Sequence, residues 1–244
     1  MKSIILAAGR GSRIPKFSKR KPKCLIPING KSILKRQIDF FKRLKIKKIV
    51  VVRGYKKKFI NFKKIKFINN NNYKNSEQLQ SLFSAKSELD EDVIICFSDI
   101  IYDFNILKKL YFSEVGNIIL AIDKKWKQRY KFRFDHPIAQ ADKVELDKKN
   151  LIKSIGKDIL IKKTHAEFLG LIKIRKEATK IFINFFKKLK KRKLNEMQIH
   201  HFINYLVNNK IKVNACEVSG KYMEIDTYND YKIAKKIFRL KNNA

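Results

Sequence analysis

The chain has 244 residues, 44% of them hydrophobic, enough for one large domain with a substantial core and too few for two independent ones. Lys and Arg number 58 against 22 Asp and Glu, a formal charge of +36. The lysines are spread along the whole chain, so the charge reads as surface solvation with some steering of anions, and nucleic acid is not the expected main partner. No apolar run approaches the roughly 18 residues of a membrane span, and the first residues enter a strand directly; this predicts neither a span nor a signal peptide, hence a cytoplasmic protein.

The run Ile4–Ala8 predicts a buried strand that passes straight into a basic glycine-rich loop, Gly9-Arg10-Gly11-Ser12-Arg13. That is the outline of a phosphate site. Glycine lets backbone N–H groups approach an anion, Ser12 adds a hydroxyl donor and Arg13 a planar fork. Lys23, just after Lys21-Pro22, can add a point charge. Ile14 occupies the place of the third glycine of the dinucleotide fingerprint, and the P-loop spacing is absent. A plain glycine turn on a basic protein is the other reading.

Pro27-Ile28-Asn29-Gly30 reads as a turn, Ser32–Leu44 as a helix with Ile33, Leu34, Ile38, Phe41 and Leu44 on one face, and Ile49–Val52 as a buried strand. Strand, helix, strand makes a βαβ unit of a parallel sheet. Lys57–Lys64 predicts a short connection, Ile65–Ile68 a strand, the asparagine run 69–72 a turn rather than a binding motif, and Glu77–Leu89 a helix. The apolar strand Val93–Phe97 delivers Ser98-Asp99 at its carboxyl end, where open parallel sheets bind ligands and where a rigidly held carboxylate suits magnesium. Tyr102 and Asp103 either face a ligand or begin the next turn.

Asn117–Ile122 predicts a strand. The segment Arg129–Pro137, near the single tryptophan Trp126, interleaves charged and aromatic residues without period; it is a loop, either an aromatic wall for a cationic ligand or packed by its own side chains. Residues 141–146 and 151–155 alternate as a hairpin. Helices over 176–191 and 195–208, a strand over 211–218 and a helix from Tyr228 to Leu240 complete the chain. His200 and His201 point about 100° apart on a helix, which favours ordinary surface or core histidines over metal ligands. Cys24, Cys96 and Cys216 lie among apolar residues without C-x-x-C spacing and read as buried free thiols.

The string L-A-A-G-x-G-S-R over Leu6–Arg13, followed by Lys21-Pro22-Lys23, resembles the signature of the sugar-nucleotidyltransferase family. Glu224-Ile225-Asp226-Thr227 is similar to the same family's ending, while Trp126, Tyr130, Arg133, His136-Pro137, Ala141-Asp142 and Val144, with Glu167-Phe168-Leu169-Gly170-Leu171, resemble its branch of phosphocholine and 2-aminoethylphosphonate cytidylyltransferases. The resemblance implies a single α/β Rossmann-like nucleotidyltransferase domain over residues 1–244, with a mixed, mostly parallel sheet flanked by helices and a small acceptor-side hairpin. The nucleotide-binding part is expected over about 1–122 and the acceptor-binding part over about 123–227. It implies Mg²⁺ on Asp99 and Asp226, Arg13 and Lys23 as catalytic cations, and a nucleotide against Leu6, Ala7, Ala8, Gly9, Gly11, Ser12, Gln78 and Ser81. Lys157, which follows Gly156 at a strand end, is expected to hold the acceptor phosphate or phosphonate, with Trp126, Tyr130, Glu167 and Glu224 around an acceptor amine. The implied reaction moves CMP from CTP to such an acceptor, 2-aminoethylphosphonate before phosphocholine; transfer to a sugar 1-phosphate and non-catalytic binding of nucleic acid are the alternatives. Two departures stand out: Gln140 where the branch has Glu, and a short Ile14-Pro15 link between Arg13 and the Lys-Pro-Lys.

Overall fold

A computed structural model describes residues 1–189 and 191–239. The first half of the chain runs β1 (Lys2–Ala7), the single turn α1 (Pro15–Ser18), the ribbon β2 (Pro27–Ile28) and β3 (Lys31–Ser32), then α2 (Ile33–Arg43), β4 (Lys48–Arg53), β5 (Lys66–Asn69), α3 (Gln78–Ser84), β6 (Val93–Phe97), β7 (Ile100–Tyr102) and α4 (Phe104–Phe112). The second half runs β8 (Ile118–Asp123), β9 (Lys143–Leu146), β10 (Ile152–Gly156), β11 (Ala166–Ile174), α5 (Lys176–Lys188), α6 (Lys191–Glu196), α7 (Ile199–Asn208), β12 (Asn214–Glu217), β13 (Tyr222–Glu224) and α8 (Tyr228–Ile237).

Continuous apolar runs are stable as strands only where both faces are covered, which is the situation of a parallel sheet with crossover helices. β1 sits at its centre, hydrogen-bonded in parallel to β4 on one side and β6 on the other, and β5 extends the β4 edge. Beyond β6 comes β11, the one antiparallel strand of the row, then β8 and β12, giving the order β12-β8-β11-β6-β1-β4-β5. The hairpin β9–β10 hangs from the start of β11, at Ala166 and Glu167. The sheet is thus mixed and mostly parallel, as the sequence predicts.

Two features place the site. β7 and β13 pair antiparallel in a separate ribbon, and Ile225 donates its N–H to the Asp99 carbonyl (2.9 Å), so the last strand of the chain docks at the end of β6. Beneath that junction lies a second small core of Ile14, Ile26, Ile28, Ile33, Ile101, Met223, Ile225 and Phe238. On α2, capped by Ser32, the buried Gln37 donates from Nε2 to the carbonyls of Phe97 (2.9 Å) and Ile100 (2.8 Å). It brackets the turn that carries Ser98 and Asp99.

Several expected elements are differently bounded. The helix over Glu77–Leu89 covers only α3 and gives way to a 3-10 turn at Lys86–Glu88, because Glu88 is drawn to Lys2 (3.1 Å) and Lys66 (2.6 Å) at the foot of the sheet. The helix over 195–208 breaks at Met197 and Gln198. The break frees the carbonyls of Asn195 and Met197 to accept the N–H groups of Glu77 (2.8 Å) and Leu79 (3.3 Å), partners the first turn of α3 lacks within itself. The helix over 176–191 ends at Lys188, and the final helix ends at Ile237, its expected last residue Leu240 lying outside the described residues. Of the strand 211–218 only Asn214–Glu217 pairs, with β8, while the Val213 carbonyl accepts from Ile152. The three cysteines are buried and free, as expected.

Gln37→Leu keeps the volume but removes the two donors from the Phe97 and Ile100 carbonyls. Unpartnered buried carbonyls cost about 1–3 kcal/mol, and a urea titration is expected to show a loss in that range. An unchanged midpoint would show that the turn holds itself.

Candidate active site

The loop after β1 lines a cavity of about 340 Å³ at the carboxyl ends of the central strands. Leu6, Ala8, Gly9, Gly11, Ser12, Arg13, Lys23, Gln78, Ser81 and Asp99, all expected from the sequence, line it together. Ala7 does not; its side chain is buried in β1. Gly11 has φ +69°, and a Cβ there would lie 2.6 Å from the Lys23 Cβ, so the glycine is what lets Lys23 pass under the loop. The short link is accommodated by α1, and Ile14 anchors in the second core.

Lys23 is 8% exposed, and its Nζ donates to Asp99 Oδ2 (2.9 Å) and Asp226 Oδ1 (2.5 Å). Burial alone would lower its pKa, but Asp99 and Asp226 outweigh it and hold the ammonium charged well above the ordinary lysine range. Arg13, on the rim, pairs with the same Asp226 oxygen (2.9 Å). Burial pushes Asp226 up and Lys23 and Arg13 push it further down, so it stays ionised. Asp99 and Asp226, far apart in sequence, are therefore brought to one cation. Glu224 shares this corner: one ligand atom each from His136, Glu224 and Asp226 lies within 4.8 Å of the others. Its carboxyl is held well above the usual range by burial and then by Asp226 and Asp99.

The segment around Trp126 is packed internally. Trp126 is 1% exposed, its ring edge-on to Tyr130 at 5.8 Å, so the loop is packed by its own side chains and Trp126 offers no wall to a ligand. Glu167 is already neutralised: Arg129 bridges it and Asp123, and the Tyr130 hydroxyl donates to it. Tyr102 is buried with its hydroxyl near Cys96, and Asp103 starts α4, so neither faces a ligand. Lys157 stands half-buried at the end of β10 without a hydrogen bond or ion pair among the described residues, near enough to Asp142 to act on its charge.

Sequence reasoning passed over Arg10, Asn70, Tyr73, Ser76, Glu77, Phe97 and Ser98, which also line the cavity. Asn70 is the instructive one. It belongs to the run read as a turn, yet it is 2% exposed and donates to Ser76 Oγ (3.2 Å) and Ser81 Oγ (3.1 Å), tying β5 to α3. Four like residues in a row gave no signal for which one points inward. His200 lies against Gly156 and 3.7 Å from Asp142, with no metal-type partner set among the described residues, and His201 accepts the Gln198 N–H at the start of α7.

A strand-end glycine loop facing two carboxylates on a Rossmann-like sheet is the arrangement of a nucleotidyltransferase. Residues 3–129 match the MobA-like NTP transferase domain, slightly more than half of the chain, and the protein belongs to that family. It is 27% identical over 250 residues to the CTP:phosphoglutamine cytidylyltransferase of Campylobacter jejuni, covering 96% of this chain and 98% of that one. To the choline-phosphate cytidylyltransferase of Streptococcus pneumoniae it is 34% identical over 99 residues, 39% of this chain and 43% of the other. The solved inositol-1-phosphate CTP transferase of T. maritima superposes with a TM-score of 0.74 at 21% identity, covering 97% of this chain and 95% of that one, a likeness of fold. No helix among the described residues is long and apolar enough to cross a membrane.

Asp142 gives a pH prediction. Burial, opposed by Lys157 and reinforced by Glu167 and Asp226, pushes its carboxyl from 3.8 up to about 6. The folded state therefore keeps a proton that the unfolded chain releases, and the associated stability is full below about pH 4 and lost as pH rises through 6. Asp142→Asn removes the penalty: at pH 7.5 it is expected to be more stable than the parent by about 1–3 kcal/mol, and at pH 4 equal to it. Equal denaturation midpoints at both pH values would contradict the assignment.

Proposed function

We propose that the protein transfers a cytidylyl group from CTP to a small amine-bearing phosphate or phosphonate and releases pyrophosphate. The observation that carries this reading is the placement of Lys23, charged and buried, between Asp99 and Asp226 at the floor of the glycine-loop cavity. Cytidine is favoured because both curated relatives above are named as cytidylyltransferases, one of them for CTP.

The acceptor oxygen is already anionic, so no general base is required; the protein has to bring two anions together and stabilise the departing one. The acceptor oxygen bonds to the α-phosphorus in line while the bond from that phosphorus to the bridging oxygen breaks, and its electron pair leaves with pyrophosphate. Backbone N–H groups of Gly9 to Ser12 and the fork of Arg13 hold the leaving phosphates, Lys23 stabilises the α-phosphoryl oxygens, and Gln78 and Ser81 stand where the base and ribose lie. Lys157, lacking a partner of its own, neutralises the acceptor.

Mg²⁺ fits this donor set: Asp99 Oδ1 and Asp226 Oδ2 are the two carboxylate oxygens that Lys23 leaves unengaged, and both are hard oxygen ligands. Asp99 and Asp226 would hold the ion, which when bound offsets the charge of the triphosphate. Support for an acceptor amine comes from Glu224. Its carboxyl group has no cationic hydrogen-bond or ion-pair partner among the described residues, in a chain where cations outnumber acids 58 to 22. Glu167, in contrast, is spent on Arg129.

The test supplies the full chain with CTP and Mg²⁺ and, in turn, 2-aminoethylphosphonate, phosphocholine, phosphoglutamine and a sugar 1-phosphate, and reads pyrophosphate. Release with one of the amine-bearing acceptors is expected, and Asp99→Asn or Asp226→Asn should lower kcat at least about 100-fold. Turnover with the sugar phosphate alone would sink the acceptor assignment. Salt-dependent nucleic-acid binding without pyrophosphate release from any acceptor would sink the catalytic one.

A further inference from the structure

Two residues of the aperiodic segment, Arg133 and His136, are used by nothing in the reaction above, yet each is only 3% exposed while Phe132 and Phe134, on either side of Arg133, point outward at 60% and 79%. Arg133 Nε donates to Asp230 Oδ1 (2.7 Å), and its terminal NH2 donates to the Glu224 carbonyl (3.1 Å). Asp230, with no exposed surface, turns its other oxygen to the N–H groups of Asp226 (3.0 Å) and Thr227 (2.8 Å). Thr227 Oγ1 in return accepts the Asp230 N–H (3.1 Å), closing a capping box at the start of α8. His136 Nδ1 fills the angle between Asp226 Oδ2 (3.5 Å) and Asp230 Oδ2 (3.7 Å). Burial alone would raise Asp230; His136 and Arg133 beside it hold it well below the usual carboxylate range.

A buried Arg–Asp pair is by itself weak evidence for stability, since desolvation offsets the attraction. This pair does something more specific. Through two amides and one carbonyl it fixes both residues flanking Ile225, the stretch that carries Glu224 and Asp226. The other end of the clamp rests on the acceptor side: the Arg133 guanidinium lies over the Tyr130 ring (4.8 Å), and Tyr130 holds Glu167.

We propose that Arg133, His136 and Asp230 are positioning residues that fix Asp226 opposite Asp99 and tie its place to the acceptor-side loop. The catalytic meaning of that place rests on the function proposed above; the placement itself does not. A displacement of about 1 Å in such a constellation can cost on the order of 100-fold in rate.

The test uses the full chain with Arg133→Met, Arg133→Lys, Asp230→Asn and the milder His136→Gln. Crystal structures of the variants are expected to show the Asp226 carboxylate moved off Lys23 Nζ, with the glycine loop and α3 in place. Mn²⁺ binding, followed by electron paramagnetic resonance, should weaken about tenfold, and kcat should fall about 10- to 100-fold with the CTP KM within about threefold. Arg133→Lys should recover part of each effect. Phe182→Leu, a core variant remote from the site, should keep kcat at a comparable loss of melting temperature. If Arg133→Met or Asp230→Asn leaves the Asp226–Lys23 contact and the Mn²⁺ affinity as in the parent, the proposal is wrong. If Arg133→Met and Asp230→Asn fail to fold, His136→Gln decides on the same two readouts. Absence of turnover in the parent with every acceptor would count against the proposed reaction, while the position of Asp226 in the variants would still decide this inference.

Discussion

Lys23 carries a full charge into the protein interior, and what makes that tolerable is a pair of aspartates from two distant parts of the chain. A buried ammonium without compensation would lose its proton. Lys23 stays charged because Asp99 and Asp226 face it, and Asp226 stays ionised because Lys23 and Arg13 do. The contact also closes the fold: Lys23 follows the first strand, Asp99 ends the fourth strand of the central row, and Asp226 lies just beyond the last strand. The glycine-rich loop and the C-terminal segment meet at this one point.

Much of the surrounding architecture serves that meeting. Gly11 clears the path of the lysine stem, Gln37 brackets the turn bearing Asp99, and the β7–β13 ribbon brings the C-terminal segment alongside it. The second core of Ile14, Ile101, Met223 and Ile225 lies beneath, so the ends that present Arg13, Asp99 and Asp226 are packed against one another rather than left as independent loops. A site held by rigid strand ends and buried hydrogen bonds needs little rearrangement when its ligands arrive.

The central sheet was legible because continuous apolar runs such as Ile4–Ala8 and Val93–Phe97 have few alternatives to a buried strand. The glycine-rich loop was legible from Gly9 to Arg13 for a similarly local reason. What the sequence did not disclose depends on partners distant in the chain. The break before α7 exists because Asn195 and Met197 cap α3, and Glu88 ends a helical stretch because Lys2 and Lys66 pull it. By residue type Trp126 suits a ligand wall and Glu167 a ligand ammonium, yet burial and Arg129 claim them. Local pattern cannot tell a side chain offered to a ligand from one satisfied by the protein itself.

On the proposed reading, the glycine loop and the Lys23–Asp99–Asp226 junction form one nucleotide site. A crystal structure of the full chain with Mg²⁺ and a CTP analogue that resists transfer tests it most directly. The account predicts the triphosphate over Gly9 to Arg13, the base beside Gln78 and Ser81, and the metal between Asp99 and Asp226. Nucleotide bound elsewhere, for example in the basic groove around Phe17 and Arg20, with the glycine-loop cavity empty, would contradict it.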